Sequence, residues 1–360
     1  MRGAGAPRPG YLEQRQRAGV VEARGVRMFE RWGLADQLLG GPVAQTIDYR
    51  LNGTSRLFEL TTDDGSPGRF CTQQLLVHNL LRELLDHRAG DVRFGVADLA
   101  LDLADSQRPR VRYTDATGPH ELGCTYVVGC DGSRGRSRAA IPAGVLTTYS
   151  YEFGYAWLAA LVEAPLVGHP IMGVSDYGFV GQLPRGPQRS RYYLQCALSD
   201  VAEDWPDERL WDEIRRRTGD AALPNAPVLD KFFVPLRSVV HAPMQYGRLF
   251  LAGDVAHLVP PASAKGMNLA LYDVDVLAQA LRQTVQAHDE TLLQAYSDTC
   301  LAHVWRYQEF ALDMTEMLHD AGDATQHGPF RRQVARARLA ALFTSPTAAR
   351  RHSEFQRGLA

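Results

Sequence analysis

What this chain has little of narrows its class before any motif is read. Cysteine is scarce: five residues in 360 (Cys71, Cys124, Cys130, Cys196 and Cys300), with no C-x-x-C pair. Histidines form no cluster at metal-ligand spacing, so no metal site is expected. A scattered, odd set of thiols argues against a disulfide framework and for reduced cysteines in a cytoplasmic protein. An excess of charge of either sign is also missing. Lys and Arg number 39 against 41 Asp and Glu, a formal net charge of -2. That balance gives no electrostatic case for a nucleic-acid partner. The one basic stretch, Arg331, Arg332, Arg336, Arg338, Arg350 and Arg351, reads as a solvated helix face. No apolar run approaches the roughly 18 residues of a membrane span, and Met1–Gly10 has no apolar core of a signal peptide. There is no internal repeat. No strand followed by G-x-G-x-x-G is found either: Gly3 and Gly5 have the first spacing, but Arg8 stands in the third position.

What is present is an ordinary globular composition, 45% hydrophobic and 22% charged, long enough for two domains with cores. Residues 18–39 read as helix-forming, and 75–87 is amphipathic, with Leu76, Val77, Leu80, Leu81, Leu84 and Leu85 at 3–4 spacing. Strands are expected at 111–114 and 124–130, then at 153–161, 178–180 and 190–197, with a helix at 208–218 between strand signals. A short apolar strand at 249–252, a Pro/Gly loop, a long helix at 267–285 and further helices complete the chain. A β-rich block between two α/β pieces predicts one nucleotide-binding domain split in sequence by an inserted domain.

Four segments carry chemistry. In Gly253-Asp254-Val255-Ala256-His257, followed by Pro260-Pro261 and Lys265-Gly266-Met267-Asn268, a buried strand delivers a Gly and a carboxylate to the strand's carboxyl end. That is where open α/β sheets bind ligands. The helix starting near Lys265 points unpaired amides of Met267 and Asn268, and its positive dipole end, toward any anion there. Gly129-Cys130-Asp131-Gly132-Ser133-Arg134, continuing to Arg138, is a Gly-rich turn with two phosphate-compatible guanidinium groups, or a solvated surface turn. Arg15-Gln16-Arg17-Ala18-Gly19-Val20 is a pyrophosphate ligand or an exposed charge cluster. Around Arg185 and Arg189-Ser190-Arg191-Tyr192-Tyr193, strand alternation puts Arg191 and Tyr193 on one face.

Together these strings resemble the single-component, FAD-dependent aromatic hydroxylases, in the branch typified by 4-hydroxybenzoate 3-monooxygenase. The likeness runs from about Pro9 to Leu318 and is dense at Trp205–Trp211 and Pro235–Ser238. It implies an α/β fold: a three-layer FAD/NAD(P)-binding domain (residues 1–44, 68–151 and 236–290), N-terminally incomplete. It further implies a mixed-sheet substrate domain (45–67 and 152–235) and a helical C-terminal region (291–360). It implies FAD as cofactor, NADPH or NADH as cosubstrate, a small aromatic acid and O2 as partners, and a possible homodimer. Arg15, Gln16, Arg17, Ala18, Gly19, Val20, Gln73, Asp131, Gly132, Arg134 and Arg138 would contact the cofactors. So would Gly253, Asp254, Lys265, Gly266, Met267 and Asn268. Arg185 and Tyr193 would hold the substrate carboxylate, with Met172, Leu183, Pro184 and the Pro261 carbonyl lining the ring. Three departures from the family pattern bear on chemistry. The missing first βα segment implies a start further upstream or a truncated product with weakened FAD affinity, so an inactive homologue is an alternative. A flavoprotein oxidase or reductase of another substrate class is a second. Met172 and Leu183 replace a tyrosine and a serine, and the relay tyrosine falls near Ala341 and Leu342, so phenol activation is lost unless Tyr177 supplies it. An amino-substituted hydroxybenzoate, already electron-rich, would need less.

Overall fold

The computed structural model describes residues 19–60, 67–87, 90–103, 105–319 and 328–360. Its largest unit is an eight-stranded sheet. The order is His257–Leu258, Val228–Ala242, Thr147–Val162, Ser190–Ala197, Gly178–Pro184, Ile171–Ser175, Thr46–Leu51 and Thr54–Glu59. Ile171–Ser175 runs parallel to Thr46–Leu51 and all other neighbours are antiparallel, so the sheet is mixed. Alternation decides which layer each side chain joins. Ala156, Leu158, Ala160 and Val162 pack against Trp205, Leu210, Trp211 and Ile214, on or just before helix Asp207–Thr218. Trp157 and Ala159 point the other way, into a core shared with Met172, Phe179, Tyr193 and the C-terminal helices.

A second layer is a short parallel pair, Leu249–Leu251 beside Val127–Gly129, extended by Gln245–Tyr246. Leu249, Phe250 and Leu251 are fully buried and share a core with Leu277 and Ala280 of helix Gly266–Ala287 and with Tyr296 and Cys300. A separate antiparallel sheet of Ala97–Asp102, Arg110–Asp115 and Gly118–Gly123 flanks this unit. Helices Tyr296–Leu318, Gly328–Thr344 and Pro346–Gln356 form the C-terminal region. Among the described residues no helix is long and apolar enough to cross a membrane.

The architecture is the expected α/β one, with differences in detail. The helix-forming stretch 18–39 is two helices, Ala23–Arg31 and Ala35–Leu38, broken where Gly33 takes φ +70°. Strands Thr147–Val162 and Val228–Ala242 pair along most of their length and pass straight through the 151/152 and 235/236 boundaries. Their ladder slips at Pro235, which has no N–H to donate, and opposite it Gly154 sits at φ +81°.

Candidate active site

The Leu249–Leu251 strand ends at Gly253, whose φ of +75° turns the chain and whose amide donates to Asp273 Oδ2 at 2.9 Å. A side chain at Gly253 would press on Ala270, 3.1 Å from an ideal Cβ, so the glycine lets the turn sit directly on helix Gly266–Ala287. After Pro260, Pro261 and the left-handed Ala264, that helix begins. Its ladder includes Leu269 N to Lys265 O, 2.8 Å, leaving the amides of Gly266, Met267 and Asn268 at its opening turn. A Cβ on Gly266, or on Gly132 across the parallel pair, would meet nothing within 4 Å. Both glycines thus leave the backbone open just beyond the carboxyl ends of the two parallel strands, where open α/β sheets bind ligands.

Asp273 is fully buried and acts as a bolt. Its Oδ2 also meets His257 Nε2 at 2.7 Å. Burial works against a charged His257, but the Asp273 carboxylate outweighs it and its pKa rises. Asn268 ties the other side of the cradle. Its Oδ1 accepts from Glu22 N at 3.1 Å, and its Nδ2 donates to Val20 O at 3.1 Å and Ala264 O at 3.0 Å. Lys265 is buried against Glu22, Nζ to Oε2 2.6 Å, and also donates to the carbonyls of Phe355 and Gln356. Burial pushes the Glu22 carboxyl up and the Lys265 ammonium down, while their mutual attraction opposes both.

The facing wall comes from the mixed sheet. Arg185 follows the Gly178–Pro184 strand, and its amide closes a turn onto Arg189 O at 2.8 Å. Arg185 is only 6% exposed, its guanidinium donating to Tyr193 Oη at 2.8 Å and to Pro184 O at 3.1 Å; among the described residues Nε has no partner. Among the described residues no carboxylate pairs with it. Gly19 lies against it so closely that an ideal Cβ there would overlap Nη1. Tyr193 packs at 4.8 Å on Trp157, whose Nε1 donates to His319 Nε2 at 2.6 Å.

Several expected residues do other work. Arg15, Gln16, Arg17 and Ala18 lie outside the described residues. Asp131 is turned onto its own loop: Ser137 donates to it through N (2.9 Å) and Oγ, which holds its carboxyl below the usual range despite partial burial. Arg138, expected on phosphate, instead donates to Val255 O at 2.6 Å and Ser133 O at 3.0 Å, bracing the Gly253 turn; Arg134 is exposed. Gln73 opens helix Gln73–Asp86. Asp254 is half-buried on the turn. Pro261 is exposed, and its carbonyl already accepts Ala264 N at 3.0 Å. Met172 and Leu183 line the sheet face as apolar groups, and Leu342 is buried in the same core. Tyr177 is half-exposed under the Arg216 guanidinium, 3.6 Å from its ring centre, so it is no substitute phenol. Glu22, Asp273 and His319 were missed. Their partners are distant in sequence, and only the place of Glu22, two residues after Val20, is a signal.

Comparison with known proteins gives the family and the fold. Residues 9–311 match the family described as FAD binding domain. The chain is 32% identical over 315 residues to "p-hydroxybenzoate hydroxylase" of Acinetobacter baylyi, covering 86% of this chain and 78% of that one. It is 26% identical over 326 residues to "Probable NADH-specific resorcinol 4-hydroxylase" of Rhodococcus jostii, covering 86% and 60%. The fold superposes on p-nitrophenol 4-monooxygenase of Pseudomonas putida with a TM-score of 0.80 at 17% identity, over 96% of this chain and 89% of that one.

Proposed function

The chain belongs to the FAD-binding aromatic hydroxylases, and from that premise we propose that it hydroxylates a small aromatic carboxylate, using NADPH or NADH as electron donor and O2 as oxygen source. The observation that carries the substrate class is Arg185. A buried guanidinium without an acidic partner is costly unless a ligand supplies the charge. Its planar fork suits a carboxylate, and Tyr193 fixes its orientation.

Bound FAD supplies the redox chemistry that transfers one atom of O2 to the ring. The residues around it bind, orient and exclude water. The opening amides of Gly266, Met267 and Asn268 would favour negative charge on the bound ring system, while Lys265, paired with Glu22, braces the turn behind them. Gly253 and Asp254 would hold the polyol side of the cofactor, and Pro261 would border its ring edge. Arg134 is the exposed candidate for a phosphate contact. Met172 and Leu183 offer the substrate no hydrogen bond and cannot take a phenolic proton. The ring must therefore bring its own activation, which favours amino-substituted hydroxybenzoates over 4-hydroxybenzoate.

The test is turnover of the FAD-loaded protein on a panel of hydroxy- and aminobenzoates. Expected is NAD(P)H consumption stimulated by the aromatic acid and matched by hydroxylated product. Stimulated consumption that yields only hydrogen peroxide across the panel would overturn the reading.

A further inference from the structure

Lys265 braces more than its own turn. Three helix ends meet around its ammonium group: the start of Ala23–Arg31, the start of Gly266–Ala287 and the last turn of Pro346–Gln356. Nζ donates to Glu22 Oε2 at 2.6 Å and to the carbonyl oxygens of Phe355 and Gln356, the latter at 3.1 Å. Those carbonyls lie where a helix has unpaired acceptors and the negative end of its dipole. Lys265 thus caps one helix with its side chain while its backbone leads directly into the opening turn of another. Neighbouring contacts tighten the same knot. Arg24 N donates to Arg357 O at 3.2 Å. Arg357 Nη1 donates to Leu60 O at 2.9 Å, just past the strand Thr54–Glu59 of the mixed sheet. Gly358, at φ +72°, lies so near Glu22 that an ideal Cβ would overlap Oε1.

Glu22, Lys265 and Arg357 are all buried, and a buried ammonium that loses its acceptors is costly. Lys265 therefore cannot keep its place if residues 355–358 shift. Its place fixes the start of the Gly266–Asn268 turn, and Asn268 Oδ1 binds Glu22 N from the other side at 3.1 Å. We propose that residues 355–358, with Arg357 and Gly358 at their centre, are positioning residues for the cofactor: through Lys265 and Glu22 they hold the opening turn of Gly266–Ala287 where it can receive the flavin. This inference rests on the reading that this turn faces FAD. Coupling between two places is reciprocal. If FAD needs residues 355–358 in place, bound FAD must in turn hold them there.

The experiment is amide hydrogen exchange of the full chain with and without saturating FAD. In the fold the amides of Arg357, Gly358 and Leu359 donate to the carbonyls of Ser353, Phe355 and Glu354, and that of Leu269 to Lys265 O. FAD should slow exchange about tenfold in peptides covering 264–270 and 355–360, the scale of one charge-assisted hydrogen bond, and leave helix Asp207–Thr218 unchanged. Gly358→Ala, which drives the Glu22 carboxylate off Lys265, should weaken FAD binding by a similar factor, measured by flavin fluorescence. The exchange data on the unaltered chain decide the matter if that variant fails to fold. Slowing at 264–270 but not at 355–360 would overturn the proposal and leave the cofactor reading standing. So would equal slowing of all three segments, or Gly358→Ala with native circular dichroism and unchanged FAD affinity. No slowing at 264–270 would overturn the cofactor reading and the proposal with it.

Discussion

Arg185 and Gly19 meet across 166 positions of chain, and that contact makes the proposed substrate hook sensitive to a residue on the proposed cofactor side. A methyl group on Gly19 would occupy the place of Nη1. Gly19→Ala should therefore displace the guanidinium and raise the KM for the aromatic acid. Arg185→Ala should raise it roughly 10–100-fold, the loss of charged hydrogen bonds worth about 1.5–3 kcal/mol. Because both act through one group, the double variant should be no worse than Arg185→Ala alone. Steady-state kinetics of the four-member cycle checks this, and strict additivity would disprove the coupling. The sequence pointed to Arg185 and Tyr193 through resemblance, since nothing local in Leu183-Pro184-Arg185-Gly186-Pro187 announces burial. It could not reveal Glu22 facing Lys265, because that pairing depends on a fold that joins positions 243 apart.

At the scale of elements, the helix Gly266–Ala287 does two things at once. On the proposed function its first turn presents amides to the cofactor, and two turns later Asp273 bolts the Gly253 turn and His257 to it. The distance between the two walls of the cradle is thus fixed by one buried carboxylate. Asp273→Ala should cost about 3–5 kcal/mol of stability, as removal of one partner from a buried pair does. Asp273→Asn, which keeps the volume, should lose less stability yet still loosen FAD. Denaturant titration and flavin fluorescence separate the two effects; an Asn variant with unchanged FAD affinity would make Asp273 a stability residue only. This helix was legible beforehand, at 267–285 against the observed Gly266–Ala287, because its apolar residues recur with helical period. Thr46–Leu51 was not, since Thr-Ile-Asp-Tyr-Arg-Leu owes its strand conformation to pairing with Ile171–Ser175 and Thr54–Glu59. Phase was lost likewise at Gly154 and Pro235, where a bulge resets the alternation.

Over the whole molecule, the core is built partly from neutral histidines, and this sets its response to acid. Burial lowers the pKa of His303, His319 and His352 to about 3 each. In the unfolded chain each protonates near the ordinary value of 6.5. The folded state thus binds fewer protons than the unfolded state between those values. Stability is whole above pH 6.5 and falls as pH drops toward 3, by about 1.4 kcal/mol per pH unit for each histidine. His257 works the other way, because Asp273 raises its pKa; its contribution is present below pH 6.5 and fades as pH rises past the raised value. With His241 also lowered by burial, to about 4, four histidines stand against one, which leaves a net loss in acid. His303 is the cleanest probe, since it stacks at 3.7 Å on Tyr272 and 4.5 Å on Tyr307 and a phenyl ring can replace it there. Going from pH 7.5 to 5.5, the wild type should lose about 1.4 kcal/mol through His303 alone. His303→Phe should lose that much less over the same interval, measured by denaturant midpoints at the two pH values. Equal losses in the two proteins would mean that His303 takes up its proton without unfolding, and that the Tyr272–His303–Tyr307 stack is open to solvent.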